Sequence, residues 1–171
     1  MDKQTLVVMR HAKTNPTSPT GDDFCRALTT RGSADALAIG HWLHATCPHL
    51  AHILSSTALR TRETVAALCT PWGEAPPATE WDPALYLAEL DTLLKAVERL
   101  SGRTALLVGH NPGLEELLRF LVPDVGQAVG LPKLMPTAAV YVLQLPRRRG
   151  APQQGSAVIL SHMRPKLLTA T

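Results

Sequence analysis

Short apolar runs recur along the chain at 6–9 (LVVM), 53–54 (IL), 105–108 (ALLV) and 140–145 (VYVLQL). Unbroken runs of this length predict strands buried on both faces of a sheet. Two further strands are expected at 79–81 and 157–160. The second of these pairs with 140–145 as a hairpin at the sheet's edge, joined by a polar, arginine-containing turn. Between the runs the apolar period lengthens to that of a helix. After Thr29 or Thr30, either of which can cap, Ala34, Leu37, Ala38, Trp42 and Ala45 recur at helical spacing. A second helix follows Ser55-Ser56-Thr57, and a third is marked by Leu90, Leu93, Leu94, Val97 and Leu100, with Glu89, Asp91, Lys95 and Glu98 over the remainder of its surface. The fourth carries Leu114, Leu117, Leu118 and Leu121, with Asn111 suited to cap it and Pro112 to its first position. Alternating strands and helices fit an α/β fold. Pro, Gly and polar residues over 15–23, 70–77 and 122–136 predict loops, the last a loop or lid.

Composition narrows the class. A chain of 171 residues that is 45% hydrophobic can bury one good core, so a single domain over 1–171 is expected. The formal charge of +3 is small, and no cationic face interleaved with aromatics points to nucleic acid. The concentrated cations, Arg147 to Arg149, lie between Pro146 and Gly150 and suit a solvated turn. Neither a signal-peptide core nor an apolar run of membrane-spanning length is present, which predicts a soluble, cytoplasmic protein that engages no membrane. Cys25, Cys47 and Cys69 form no CxxC pair and predict neither disulfides nor a zinc knuckle. His41, His44, His49 and His52 cluster in sequence, yet no carboxylate or thiolate completes a ligand set, so no metal site is expected.

The chemistry-bearing residues stand where strands end. Arg10 and His11 follow the first apolar run directly, and Gly109-His110-Asn111-Pro112-Gly113 follows 105–108. In open α/β sheets ligands bind beyond the carboxyl ends of the strands, so a cation and two imidazoles at such ends form a site hypothesis. His110 also precedes a helix, whose N-terminus favours an anion. Arg60 and Thr64 share one face of the second helix. Arg62 is rotated by about 200° from Arg60, near the apolar face of Ala58, Leu59, Val65, Ala66 and Cys69. Periodicity alone does not say which arginine reaches a pocket. Arg26, beyond the polar 15–23 segment, suits a substrate-facing cation or a surface one, and His162 a structural role.

RHAKT, SSTALRTRET and LLVGHNPGLEELL, in that order and spacing, resemble the histidine phosphatase superfamily of phosphoglycerate mutase-like proteins. GHNP and the lack of large insertions make the short SixA-type phosphohistidine phosphatase branch the nearest likeness, and DDFCRALTTRG and LMPTAAV look like that branch too. The resemblance implies a three-layer α/β/α sandwich with a mostly parallel central sheet and a metal-independent reaction without cofactor. His11 matches the nucleophile, Arg10 and Arg60 the phosphate-binding arginines, and His110 the second catalytic histidine. Arg60 is thereby chosen over Arg62.

Relatives acting on alcohol phosphates carry an acid after the third strand. Here Glu89 is the nearest candidate, with Asp82 and Asp91 behind it. The absence of a clean match favours phosphohistidine in a partner protein, such as a histidine-phosphotransfer domain, because imidazole can leave neutral without an acid. Small phosphate esters are the alternative substrates, and a noncatalytic phosphate or phosphoprotein binder is the alternative class.

Overall fold

A computed structural model of the chain describes residues 3–100, 102–146 and 150–169. Six strands, β1 (Lys3–Arg10), β2 (His52–Ser55), β3 (Ala78–Trp81), β4 (Thr104–Gly109), β5 (Val140–Pro146) and β6 (Val158–Met163), form one sheet in the order β3-β2-β4-β1-β5-β6. The first four in that order are mutually parallel. β5 runs antiparallel to β1, and β6 antiparallel to β5. The expected hairpin therefore forms at the sheet's edge, while the arginine triplet of its turn, 147–149, lies outside the described residues.

The unbroken apolar runs are explained by cover on both faces. Along β1, Leu6 and Val8 enter one core with Leu107 of β4 and Leu143 of β5, while Val7 and Met9 enter the other with Leu106 and Val142. Helices α3 (Leu90–Arg99), α4 (Gly113–Leu121) and the short α5 (Val125–Val129) bury residues in the first core. α1 (Thr30–Thr46) and α2 (Leu59–Cys69) bury theirs in the second, with Leu168 of α6 (Pro165–Leu168) packed against it. The result is the mostly parallel three-layer α/β/α sandwich. No helix among the described residues is long and apolar enough to cross a membrane.

Local readings hold to different degrees. Thr29 caps α1, accepting from the Gly32 N–H at 2.9 Å. The buried face of α1, however, is Gly32, Ala36, Ile39, Gly40 and Leu43, rather than the stripe from Ala34 to Ala45. Ala34, Ala38, His41 and Ala45 are exposed. Glycine explains the error, because close approach and not side-chain hydrophobicity selects this face. A Cβ on Gly40 would lie 2.3 Å from the Leu68 carbonyl oxygen of α2, and one on Gly32 2.1 Å from that of Lys13. Gly40→Ala should therefore destabilise the protein by about 2 kcal/mol through overpacking against backbone, read as a lower urea midpoint. An unchanged midpoint would mean that α1 and α2 can part at no cost.

The connection 122–136 is no simple loop. It contains α5, and Val125, Leu134 and Met135 are buried. Asn111 does not cap α4, whose first residue is Gly113. Its side-chain amide donates instead to the Met135 carbonyl at 3.0 Å.

Candidate active site

The register of the sheet builds the site. In the order β2-β4-β1, Arg10 pairs with Gly109 and Ser55 with Val108, so these three strands end side by side. The residues that follow them are Ser56, His110 and His11. The His11 N–H donates to the Gly109 carbonyl at 3.1 Å and the Ser56 N–H to that of Val108 at 3.2 Å, extending the ladder one residue past each strand. Two histidines 99 residues apart in the chain thereby approach to a ring-centroid distance of 5.3 Å.

α2 brings the cation. Thr64 Oγ1 donates to the Arg60 carbonyl at 2.6 Å and accepts from the Ala12 N–H at 3.0 Å, fastening α2 to the segment that carries His11. Arg60 is 3% exposed, whereas Arg62 faces solvent with its guanidinium over the Trp81 ring. A cavity of about 440 Å³ beyond the strand ends is lined by Arg10, His11, Asp23, Arg26, Arg60 and His110 among others. Three of its lining side chains, Arg10 through Nε, His110 through Nδ1 and Asn111 through Oδ1, hold buried polar atoms without a partner among the described residues. Buried polar groups are normally paired, so the concentration of free donors and acceptors at one cavity points to a polar occupant.

The electrostatics suit an anion. His11 Nδ1 lies 2.8 Å from the Ala12 carbonyl oxygen, which requires the proton on Nδ1 and leaves Nε2 with a free lone pair. Burial first, and then the charges of Arg60, Arg10 and Arg26, push the His11 pKa down to about 4. The His110 pKa is pushed down to about 3 by burial, followed by Arg60 and His11. Both rings are therefore neutral at neutral pH, beside guanidinium groups, which proteins do not deprotonate. Arg10 is anchored by donation from Nη1 to the Met135 carbonyl at 3.0 Å.

Asp23 was not singled out by sequence. It accepts from Tyr86 OH at 2.7 Å, from Arg60 Nη2 at 2.9 Å and from Arg26 Nη1 at 2.9 Å, and its carbonyl accepts from Arg60 Nη1 at 2.7 Å. The Tyr86 hydroxyl above all, and then Arg60, lower its pKa to about 2, so it is a carboxylate at neutral pH. Its spacing of three from Arg26, in a polar segment following a strand end, was the available signal. Arg26 does line the cavity, with its head group held by Asp23, Thr14 and the Asn15 carbonyl.

The acid candidates fare differently. Glu89 is exposed and lines a neighbouring cleft with Asp91, Pro112 and Glu116, not the cavity of His11. Asp82 is occupied by Arg99 and by the Ala84 N–H. α3 begins at Leu90, and of the residues just before it Leu87, not Glu89, lines the cavity of His11. His162 stacks on Tyr141, and His52 faces Glu80.

No family model matches the chain. An uncharacterized protein of Mycobacterium leprae is 32% identical over 151 residues, spanning 82% of this chain and 89% of the relative. One from Mycobacterium tuberculosis is 31% identical over 165 residues, spanning 92% and 100%. Solved structures bearing the provisional name phosphohistidine phosphatase SixA come from Agrobacterium tumefaciens (26% identity, TM-score 0.80, covering 95% of this chain and 99% of that one) and Nakamurella multipartitia (26%, 0.78, 96% and 98%). The protein histidine phosphatase SixA complexed with tungstate shares the fold at 21% identity, with a TM-score of 0.77 over 96% of this chain and 99% of that one.

Proposed function

The chain belongs to the histidine phosphatase superfamily, in its short SixA-type branch, and on that footing we propose that it removes phosphate from phosphohistidine carried by a partner protein, through a phosphohistidine intermediate on His11. The observation that carries this reading is the free Nε2 of a neutral His11 in a cavity shared with Arg10, Arg60 and His110. Phosphoryl transfer asks of a protein an in-line nucleophile and fixed positive charge around the phosphoryl oxygens. Nε2 supplies the first. Arg10 and Arg60 supply the second as planar forks, so the reading assigns no metal ion to the reaction.

In the first step the Nε2 lone pair attacks phosphorus and the P–N bond of the substrate breaks, its electron pair returning to the leaving imidazole. That ring carries a proton on its distal nitrogen and departs neutral. In the second step water attacks phosphorus, the bond to His11 Nε2 breaks, and the protons of the water stay with the released phosphate. An alkyl ester would instead leave as an alkoxide and need a proton at once. Asp23, a carboxylate at working pH, has none to give, and Glu89 lies in the next cleft. This favours N–P over O–P substrates. It also agrees with the name of the SixA neighbours.

The test presents the purified protein, with EDTA present, with a phosphohistidine-bearing phosphotransfer domain and a panel of alkyl phosphate esters. The expected kcat/KM on the domain exceeds that on any ester by at least about a hundredfold, the advantage that a positioned acid would otherwise supply. Preference for esters would overturn the substrate assignment. Release from neither would make the chain a binder.

A further inference from the structure

Ser56 stands just ahead of the second helix but does not cap it: the residue before α2 is Ala58, and no side-chain cap is formed. Ser56 is instead fully buried, with Oγ 2.8 Å from His110 Nε2 and 3.4 Å from the Ala58 N–H, which donates to it. Neither contact is used in the reaction scheme above.

A hydroxyl has one proton and two lone pairs, and a neutral imidazole has one N–H and one bare nitrogen. Two arrangements satisfy the 2.8 Å contact. If Nε2–H donates to Ser56 Oγ, the serine proton is left with no acceptor among the described residues, on a side chain that is itself fully buried. His110 Nδ1 is then a bare lone pair, also buried and unpartnered. If Ser56 donates to Nε2, its proton and one lone pair are both used, and His110 carries its hydrogen on Nδ1. The second arrangement leaves a single unmet group, an N–H on a ring lining the cavity, and an anion in that cavity can meet it. An orphaned buried donor with no prospective partner is the costlier outcome.

Resting on the phosphate-site reading of the cavity, we propose that Ser56 is a positioning residue that holds neutral His110 as its Nδ1–H tautomer, so that the second histidine offers a phosphoryl oxygen a donor and not a lone pair. Because His110 is not protonated at neutral pH, which nitrogen holds its one hydrogen decides whether the ring attracts or repels the phosphoryl group. Spectroscopy reads the position of that hydrogen directly.

The ¹⁵N resonances of the His110 ring at pH 7, assigned by their loss in His110→Gln, should show Nδ1 protonated and Nε2 not. In Ser56→Ala the ring should shift toward the other tautomer. Tungstate affinity and kcat/KM should fall by about 10- to 100-fold, the worth of one donor to a charged group. Ser56→Thr, which keeps the hydroxyl, should retain the wild-type tautomer. A wild-type spectrum with the hydrogen on Nε2 overturns the inference whether or not any variant folds and whatever substrate the protein takes. So does Ser56→Ala with lower activity and an unchanged tautomer. Neither result touches the phosphatase reading, which stands or falls on phosphate release by the wild type.

Discussion

A protein carrying asparagine at position 11 should fold normally and release phosphate at least about a thousandfold more slowly than the wild type, because the reaction loses its nucleophile and not merely a contact. Asparagine keeps roughly the size of the ring and can donate to the Ala12 carbonyl as His11 does. It has no nitrogen lone pair able to bond to phosphorus. The intermediate gives a second readout: an alkaline quench of the wild type should trap phosphate on nitrogen, and His11→Asn should trap none. Turnover by the variant at a wild-type rate would remove His11 from the mechanism.

The pH profile tests the same group without mutation. An imidazole of ordinary pKa, 6.5, would lose activity steadily below that value. Here the folded protein lowers the pKa to about 4, so the neutral, nucleophilic form persists and kcat/KM should stay level until the pH approaches 5, then fall as the ring gains a proton. Circular dichroism over the same range separates titration from unfolding.

Arg60→Ala should lower kcat/KM by about a thousandfold, near the upper range found for removing one preorganised group that meets developing charge. The side chain is almost wholly buried beside both histidines and shares its fork with Asp23. Its removal takes a fixed cation from the phosphoryl oxygens and leaves the Asp23 carboxylate, still held by Arg26 and Tyr86, at the edge of an anion site. Lysine should not rescue the variant, because one ammonium cannot serve the carboxylate and a phosphoryl oxygen in the geometry of a planar fork. Arg62→Ala is the control. That side chain is exposed over Trp81, and its loss should change kcat/KM by less than about twofold, as an exposed cation–π contact carries little energy. Equal losses at the two positions would mean that net charge, not the placement of Arg60, drives binding.

What could be read along the chain was what local periodicity encodes. Apolar runs without alternation marked strands covered on both faces, and β1, β4 and β5 deliver alternate side chains to two cores. The leucine stripe of α4 matched its buried face. On α1 the same method chose the wrong side, because Gly32 and Gly40 select the packed face by what they lack, a property that a count of apolar residues does not register. Local pattern also could not place Glu89: Leu87 lines the cavity of His11, while Glu89, two residues on, lines the next cleft.

The sequence by itself determined the alternation of strands and helices, the two strand-end histidines with Arg10, and, through ordered motifs, Arg60. Each of these is written in a segment of a few residues. Tertiary structure alone decided that Ser56 lies against His110, that Asp23 clasps Arg60 and Tyr86, and that Arg62 is left in solvent. Those pairings join residues 37 to 63 positions apart. They depend on β4 entering the sheet between β1 and β2, a choice made by the burial of whole strand faces rather than by any local pattern.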